Sequence, residues 1–163
     1  MAPIAIADVE RIMELTAGAD RSVVWRAVDE LVQRVIGHKL FTVMRQIHAT
    51  SKVERLYSSN EKAYPVGGRK QKQGTPWGAM VLDRGEVFIA ADAAAVREAF
   101  ADHELITSLG ISSIMNVPIR FGGRVLGTMN VSHKAGHFHD ALVPPAKVIA
   151  GLLVPLLLAA GQS

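Results

Sequence analysis

Residues suited to holding an anion are concentrated in the segment Tyr57–Gly78, which reads YSSNEKAYPVGGRKQKQGTPWG. Arg69 follows two glycines, and both guanidinium groups and backbone N–H groups exposed beside glycine suit a carboxylate or a phosphate. Tyr57 and Trp77 supply aromatic rings that could cover a bound molecule. So long a connection in a compact domain is commonly either functional or disordered. We therefore predict that Arg69, Trp77 and Tyr57 contact a ligand; the alternative interpretation is a solvated charge run on a mobile loop.

Six histidines provide a second set of groups that could do chemistry. His103 follows Asp102, and a carboxylate beside an imidazole is the arrangement of a general base. Asp102 could equally be the N-cap of a helix that begins there. His133, His137 and His139 could together ligate a divalent metal. Because they lie in a connecting segment, we predict no metal site, and instead a single histidine, His133 or His103, at a ligand pocket.

Two asparagines, Asn116 and Asn130, lie within otherwise apolar strands. A buried amide is costly unless it is hydrogen-bonded, so each of them needs a partner. A two-residue Gly-Gly turn would pair Phe121 with Arg124 and place Met115 opposite Asn130, so that the two asparagines face opposite sides of the sheet. A bulge in either strand would bring them to the same side. We predict that Asn130 and Asn116 contact a ligand from the floor of a pocket.

Composition excludes several classes of chemistry. The chain has 163 residues, 49% of them hydrophobic and 20% charged, which is typical of one globular domain. It has no cysteine, so disulfides, thiolate catalysis and cysteine-ligated metals are excluded. A net charge of +3 is weak evidence for nucleic-acid binding, and we predict no nucleic-acid partner. The most apolar run, Val148–Ala160, is too short to span a bilayer. We expect a cytoplasmic protein that has no contact with a membrane and no cofactor.

The helices and strands that must position these residues occur in an order that is typical of an α+β fold. Glycines at positions 122 and 123 provide the composition of a tight hairpin turn between the two clearest strands. We predict an antiparallel sheet of five or six strands, with terminal helices on one face and a pocket roofed by loops and short helices on the other. A single domain, 1–163, would then contain N-terminal helices in 1–37, the sheet and pocket in 38–138, and a C-terminal helix in 139–163.

The ends of the terminal helices have recognisable signals. Asp8 and Asp20 can each cap one of the first two helices, which have apolar residues at helical spacing. The last helix is predicted to begin near Asp140 and to continue to Ala160. All three helices have apolar faces, so we expect them to cover one side of the sheet.

The segment Asn116–Phe138, NVPIRFGGRVLGTMNVSHKAGHF, resembles a GAF domain. That family typically has an apolar strand with a Val-Pro-aliphatic step, here Val117-Pro118-Ile119, then a glycine turn, here at Gly123. The next strand has a glycine followed by small and apolar residues, here from Gly127, and an aromatic residue precedes the last helix. The order of elements is similar over most of the chain.

The resemblance implies a ligand pocket on the sheet face opposite the terminal helices, with the segment Ser58–Gly78 as its roof. GAF domains bind small molecules such as cyclic nucleotides, bilins, haem, 2-oxo acids and amino acids, or bind nothing and dimerise. The absence of cysteine excludes covalent bilin attachment and the chemistry of the free methionine sulfoxide reductases. The signature of the cyclic-nucleotide branch is absent, and a haem-binding branch that uses histidine stays open.

Three functions remain open at this point. We predict a stand-alone domain that binds a small polar or anionic metabolite, with Arg69 neutralising its charge. The alternatives are a small cysteine-independent enzyme that acts on a small acid in the same pocket, and a purely structural dimerisation domain. A homodimer is expected under all three, because the helices at both ends have apolar faces that commonly pair in GAF domains.

Overall fold

The computed structural model describes residues 2–72 and 74–161. A six-stranded antiparallel sheet with the order β3-β2-β1-β6-β5-β4 lies at its centre, so the predicted α+β class is confirmed. The strands are β1 Leu40–Ile47, β2 Lys52–Ser58, β3 Arg69–Gln71, β4 Phe88–Ala90, β5 Ser113–Phe121 and β6 Arg124–His133. The helices are α1 Ile6–Ala17, α2 Arg21–Val35, α3 Pro76–Gly78, α4 Ala93–Ala99, α5 His103–Ser108, α6 Val143–Leu152 and α7 Val154–Ala160.

The terminal helices α1, α2, α6 and α7 cover one face of the sheet. The apolar stripe of α2 is buried there, and Phe41 of β1 and Met129 of β6 are fully buried in the same core. Asp20 caps α2 as predicted, accepting the N–H of Ser22 at 2.9 Å. Helix α1 begins before Asp8, whose carboxylate accepts a backbone N–H from the residue preceding the helix.

The predicted C-terminal helix is two helices instead of one. A 3₁₀ turn, Asp140–Leu142, precedes α6, and α6 and α7 meet at Leu153 with a bend of 43°. Pro155 lies in the first turn of α7, and proline cannot donate the hydrogen bond that would continue α6. Within the described residues, no single helix is long and apolar enough to cross a membrane, although this bent pair passes the same test jointly.

The other face of the sheet is covered by short elements. These are α3, a π-helical turn at Ala79–Asp83, α4 and α5. Trp77, Val81, Val96 and Ile106 are buried beneath them and form a second apolar core. A roof of loops and short helices therefore covers this face as predicted, but its helical turns lie in residues 76–108. The predicted roof segment, Ser58–Gly78, contributes α3 and the lining residues Tyr64, Lys70 and Lys72.

Two irregularities in the sheet determine which side chains face the roof. In β2, Tyr57 pairs with Val43 while Arg55 pairs with Met44, so Leu56 is an extra residue in the strand. In the β5–β6 hairpin, the register shifts between Ile119 and Arg120. A bulge of this kind changes the face on which the residues beyond it lie.

Candidate functional site

A cavity lies between the sheet and its roof of short helices. The space within it that water-sized molecules can occupy is about 70 Å³, so it suits only a small ligand. The walls are mainly apolar, and a few polar and charged side chains converge on the same space. The lining residues are Leu40, Thr42, Met44, Arg55, Tyr64, Lys70, Lys72, Trp77, Phe100, Asp102, Ile106, Ile111, Ile114, Asn116, Asn130 and Ser132.

A chain of hydrogen bonds forms the floor of the cavity. The Trp77 indole Nε1 donates to Asn116 Oδ1 at 2.9 Å, and Asn116 Nδ2 donates to Asn130 Oδ1 at 2.7 Å. Asn130 Nδ2 then donates to Thr42 Oγ1 at 3.2 Å. Both amide oxygens have a partner, and each amide nitrogen has a second N–H. The floor is therefore fixed in orientation by its own hydrogen bonds.

The hairpin bulge explains why the two asparagines lie together. Asn116 pairs directly with Asn130 across β5 and β6, and Phe121 pairs with Arg124 at the turn. The predicted pairing of Phe121 with Arg124 is thus confirmed. The bulge between the turn and the two asparagines brings both asparagines to the cavity face, as expected if either strand contained a bulge. Trp77 reaches the same floor from the N-terminal turn of α3.

Arg55 places a guanidinium group in the cavity wall. The residue is only 5% exposed, and its Nη1 donates to the Pro65 carbonyl at 2.9 Å. Its guanidinium carbon lies over the Tyr64 ring, 4.9 Å from the ring centre. Its Nε has no partner, and Arg55 forms no ion pair within the described part of the chain. Burial lowers the pKa of Arg55, but a guanidinium group stays charged. The site therefore contains a buried guanidinium group that Asp102 stabilises from a distance but that forms no ion pair with a described carboxylate.

Asp102 is the only acidic residue in the lining of the cavity. It accepts hydrogen bonds from Tyr64 Oη at 2.8 Å and from Lys70 Nζ at 2.7 Å. Burial opposes ionisation of Asp102, but the bond and the charge of Lys70 outweigh it and hold the pKa of the carboxyl below its ordinary value. Asp102 precedes α5, yet its side chain makes no capping bond and is bonded to these two residues rather than to an imidazole.

Lys72 also lines the cavity, close to two aromatic rings. Its Nζ is 5.1 Å from the centre of the Trp77 ring and 5.4 Å from that of Phe100. Burial lowers the pKa of the Lys72 amine, and the neighbouring charge of Lys70 lowers it further. Lys72 forms no ion pair with any described residue, because Lys70 takes the one nearby carboxylate.

Tyr57 is placed on the opposite face of the sheet from the cavity. Its ring stacks on Trp25 with the ring centres 5.5 Å apart, and its hydroxyl donates a hydrogen bond to Asp29 of α2. The cause is the bulge at Leu56, since strict alternation would have placed Tyr57 on the same face as Arg55. Tyr57 therefore does not cover the cavity.

Arg69 is also directed away from the cavity. It pairs with Glu54 across β2 and β3, and its Nε donates to Glu54 Oε2 at 2.6 Å. Its side chain is 53% exposed, and a carboxylate already neutralises its charge. The adjacent residue, Lys70, lies on the cavity face instead, because successive residues of a strand alternate between faces.

The two predicted histidines do not line the cavity. His103 begins α5 beside Asp102 without contacting its carboxylate. His133 follows Ser132 in β6, so alternation directs it to the other face, where its ring stacks on His137 at 3.8 Å. No group of three or more His, Cys, Asp or Glu residues suited to a metal occurs within residues 2–72 and 74–161.

The structure thus brings together three of the seven predicted ligand residues, namely Trp77, Asn116 and Asn130. Sequence reasoning missed Arg55 and Asp102 as members of the wall. No local signal marks Arg55, because the other residues of β2, Lys52–Ser58, are a mixture of charged, polar and apolar side chains. The sequence suggested Asp102 only as a partner of His103 or as a helix cap, and it reaches the cavity wall through the packing of α5.

Comparison with known proteins agrees with the geometry of the fold. Residues 8–154 match the family model described as GAF domain. The chain therefore belongs to the GAF domain family, as its resemblance to that family suggested. No curated protein sequence matches it.

Several solved structures share the fold at low sequence identity. The GAF domain of an Acinetobacter phosphoenolpyruvate-protein phosphotransferase is 14% identical, with 98% of this chain and 96% of that one covered and a TM-score of 0.73. A type II free methionine-R-sulfoxide reductase from Thermoplasma acidophilum is 16% identical, with 93% and 98% covered and a TM-score of 0.70. A far-red absorbing protein solved with bound biliverdin is 14% identical, with 94% and 99% covered and a TM-score of 0.68.

Proposed function

We propose that this GAF domain binds a small organic anion in the cavity between the sheet and its roof. The observation that carries the proposal is Arg55, a guanidinium group that is only 5% exposed, has a free Nε and lacks a carboxylate partner among the described residues. An isolated buried charge is costly, and a ligand carboxylate or phosphate would supply the missing partner.

The rest of the lining supports an anionic ligand. Three basic side chains, Arg55, Lys70 and Lys72, face one acidic side chain, Asp102. The floor adds amide N–H donors, and the remaining walls are apolar. A few convergent polar groups in an apolar cleft are the usual composition of a small-molecule site. Members of the same fold hold small molecules, as the structure with bound biliverdin illustrates.

The test is a calorimetric titration of the purified protein with a panel of small carboxylates and phosphate monoesters. We expect at least one anion to bind, and Arg55→Gln to weaken its binding about 10- to 100-fold, which corresponds to the loss of a charge-assisted hydrogen bond. Circular dichroism would establish that the variant is folded.

Arg69→Gln is the matched control for this experiment. Arg69 is exposed and paired with Glu54, so its removal should leave affinity for the anion within about twofold of wild type. Equal affinities of Arg55→Gln and wild type would contradict the proposal, as would a panel in which no anion binds.

We also propose that the domain forms a homodimer through α1. Ile6 and Met13 are 88% and 59% exposed, and a spacing of seven residues places them on one side of the helix. Sedimentation equilibrium of wild type and Met13→Glu tests this proposal. A dimer that the charged substitution dissociates is expected, and a monomeric wild-type protein would refute it.

A further inference from the structure

Lys72 lines the cavity, and its amine has no assigned part in the proposed anion binding. Lys70 is engaged with Asp102, and Arg55 provides the buried charge, whereas the Lys72 amine lies over two aromatic rings and forms no ion pair with a described residue. A primary amine in such surroundings can act as a nucleophile toward a carbonyl group.

The backbone holds this lysine in place. Thr75 Oγ1 donates to the Lys72 carbonyl at 2.8 Å, and the same hydroxyl accepts the N–H of Gly78 at 2.9 Å. A Cβ at position 78 would lie 2.2 Å from the Lys72 oxygen, so only glycine lets α3 approach so closely. Lys72 and Trp77 are therefore fixed relative to each other at the cavity wall.

Nucleophilic attack requires the neutral amine. Burial and the charge of Lys70 both lower the pKa of Lys72, and the net direction is downward although the Trp77 and Phe100 faces favour the ammonium form. Lysines that act through imines are typically desolvated or placed beside another cation, and Lys72 has both features.

We propose that Lys72 forms an imine with a small oxo acid, that is, with an aldehyde or ketone that also carries a carboxylate. The inference rests on the proposed function, because Arg55 would hold the carboxylate while Lys72 meets the carbonyl carbon. It narrows the ligand class from small anions to carbonyl-bearing ones, and it assigns Lys72 as the reacting group.

The reaction balances without any further reagent. The amine nitrogen forms a bond to the carbonyl carbon, and a proton passes from nitrogen to oxygen to give a carbinolamine. The hydroxyl group then leaves as water, taking up one proton, while the nitrogen loses its remaining proton and the C=N bond forms. The amine and the carbonyl compound thus yield one imine and one water, with no oxidant or reductant.

Borohydride trapping tests this step. Borohydride reduces an imine to a stable secondary amine, so the protein would be incubated with glyoxylate, pyruvate, 2-oxobutyrate or succinic semialdehyde, reduced, digested and mapped by mass spectrometry. We expect an adduct on Lys72 with at least one of these acids. Lys72→Arg, which retains the positive charge, should reduce total labelling at least about tenfold.

Lys62→Arg is the matched control, because Lys62 is an exposed lysine outside the cavity lining. It should leave labelling of Lys72 unchanged. Labelling spread equally over Lys62 and Lys72 would overturn the inference, because it would show ordinary lysine reactivity.

Calorimetry with the same acids, without borohydride, separates the two proposals. Binding that depends on Arg55 but gives no adduct on Lys72 would overturn the imine and leave anion binding intact. An adduct on Lys72 that persists in full in Arg55→Gln would support the imine and overturn the role of Arg55. Neither binding nor an adduct with any of the four acids would overturn the imine, whereas anion binding would be overturned only if the panel of carboxylates and phosphate monoesters also failed to bind.

Discussion

The hydrogen-bonded floor predicts a specific energetic coupling between Trp77 and Asn116. Asn116 is only 3% exposed, accepts the Trp77 N–H at 2.9 Å and donates to Asn130 at 2.7 Å. Replacement by leucine would leave the indole N–H and the Asn130 oxygen without their partners. Each buried orphaned group costs about 1–3 kcal/mol, which the buried apolar surface of leucine offsets by roughly 1–2 kcal/mol.

The expected net loss for Asn116→Leu is therefore about 0–5 kcal/mol in the free energy of unfolding. Urea denaturation followed by far-ultraviolet circular dichroism would measure it. For a domain of this size, the midpoint of thermal unfolding should fall by about 2–4 °C for each kcal/mol.

A double-mutant cycle with Trp77→Phe isolates the bond itself. Once the indole N–H is absent, Asn116→Leu no longer orphans it, so the double variant should be less destabilised than the sum of the single variants by about 1–3 kcal/mol. Strict additivity, within about 0.5 kcal/mol, would refute the assignment of this hydrogen bond as part of the floor. Loss of anion affinity in Asn116→Leu would connect the same bond to the ligand site.

Two further predictions concern the sheet and its charged wall. Gly127→Ala should cost about 1–3 kcal/mol or more in urea denaturation, because a Cβ there would lie 2.0 Å from the backbone oxygen of Met44 in the neighbouring strand. Asp102 contributes stability that is complete above the ordinary carboxyl pKa of 3.8 and is lost as the pH falls through the lower folded-state pKa. Wild type should therefore lose more stability than Asp102→Asn in urea denaturation series taken from about pH 5 to about pH 2.5, and identical pH profiles would contradict this.

The fold was predictable because its signals are local. The apolar stripe and aspartate cap of α2 follow the helical period, and the two glycines at 122 and 123 both have positive φ, as a tight hairpin turn requires. The C-terminal helix was predicted less well, because the position of the break before Pro155 depends on packing as well as on proline.

The candidate site was only partly predictable, because the face on which a strand residue lies is set by register. Arg69 and Lys70 are adjacent and both basic, and only the pairing of β3 with β2 selects Lys70 for the cavity. Asp102 belongs to the site because α5 packs over the sheet. Neither fact can be deduced from the composition of the loop that contains the cations.

The two bulges together determine the chemistry of the cavity. With a regular β2, Tyr57 would lie on the same face as Arg55, and its phenol would compete for the space that the roof now leaves open. With a regular hairpin, Met115 would lie opposite Asn130, and the Trp77 indole would lose its amide partner. The bulge in β2 thus moves Tyr57 away from the cavity and leaves Arg55 in its wall. The bulge in the β5–β6 hairpin places Asn116, rather than Met115, opposite Asn130 on the cavity floor.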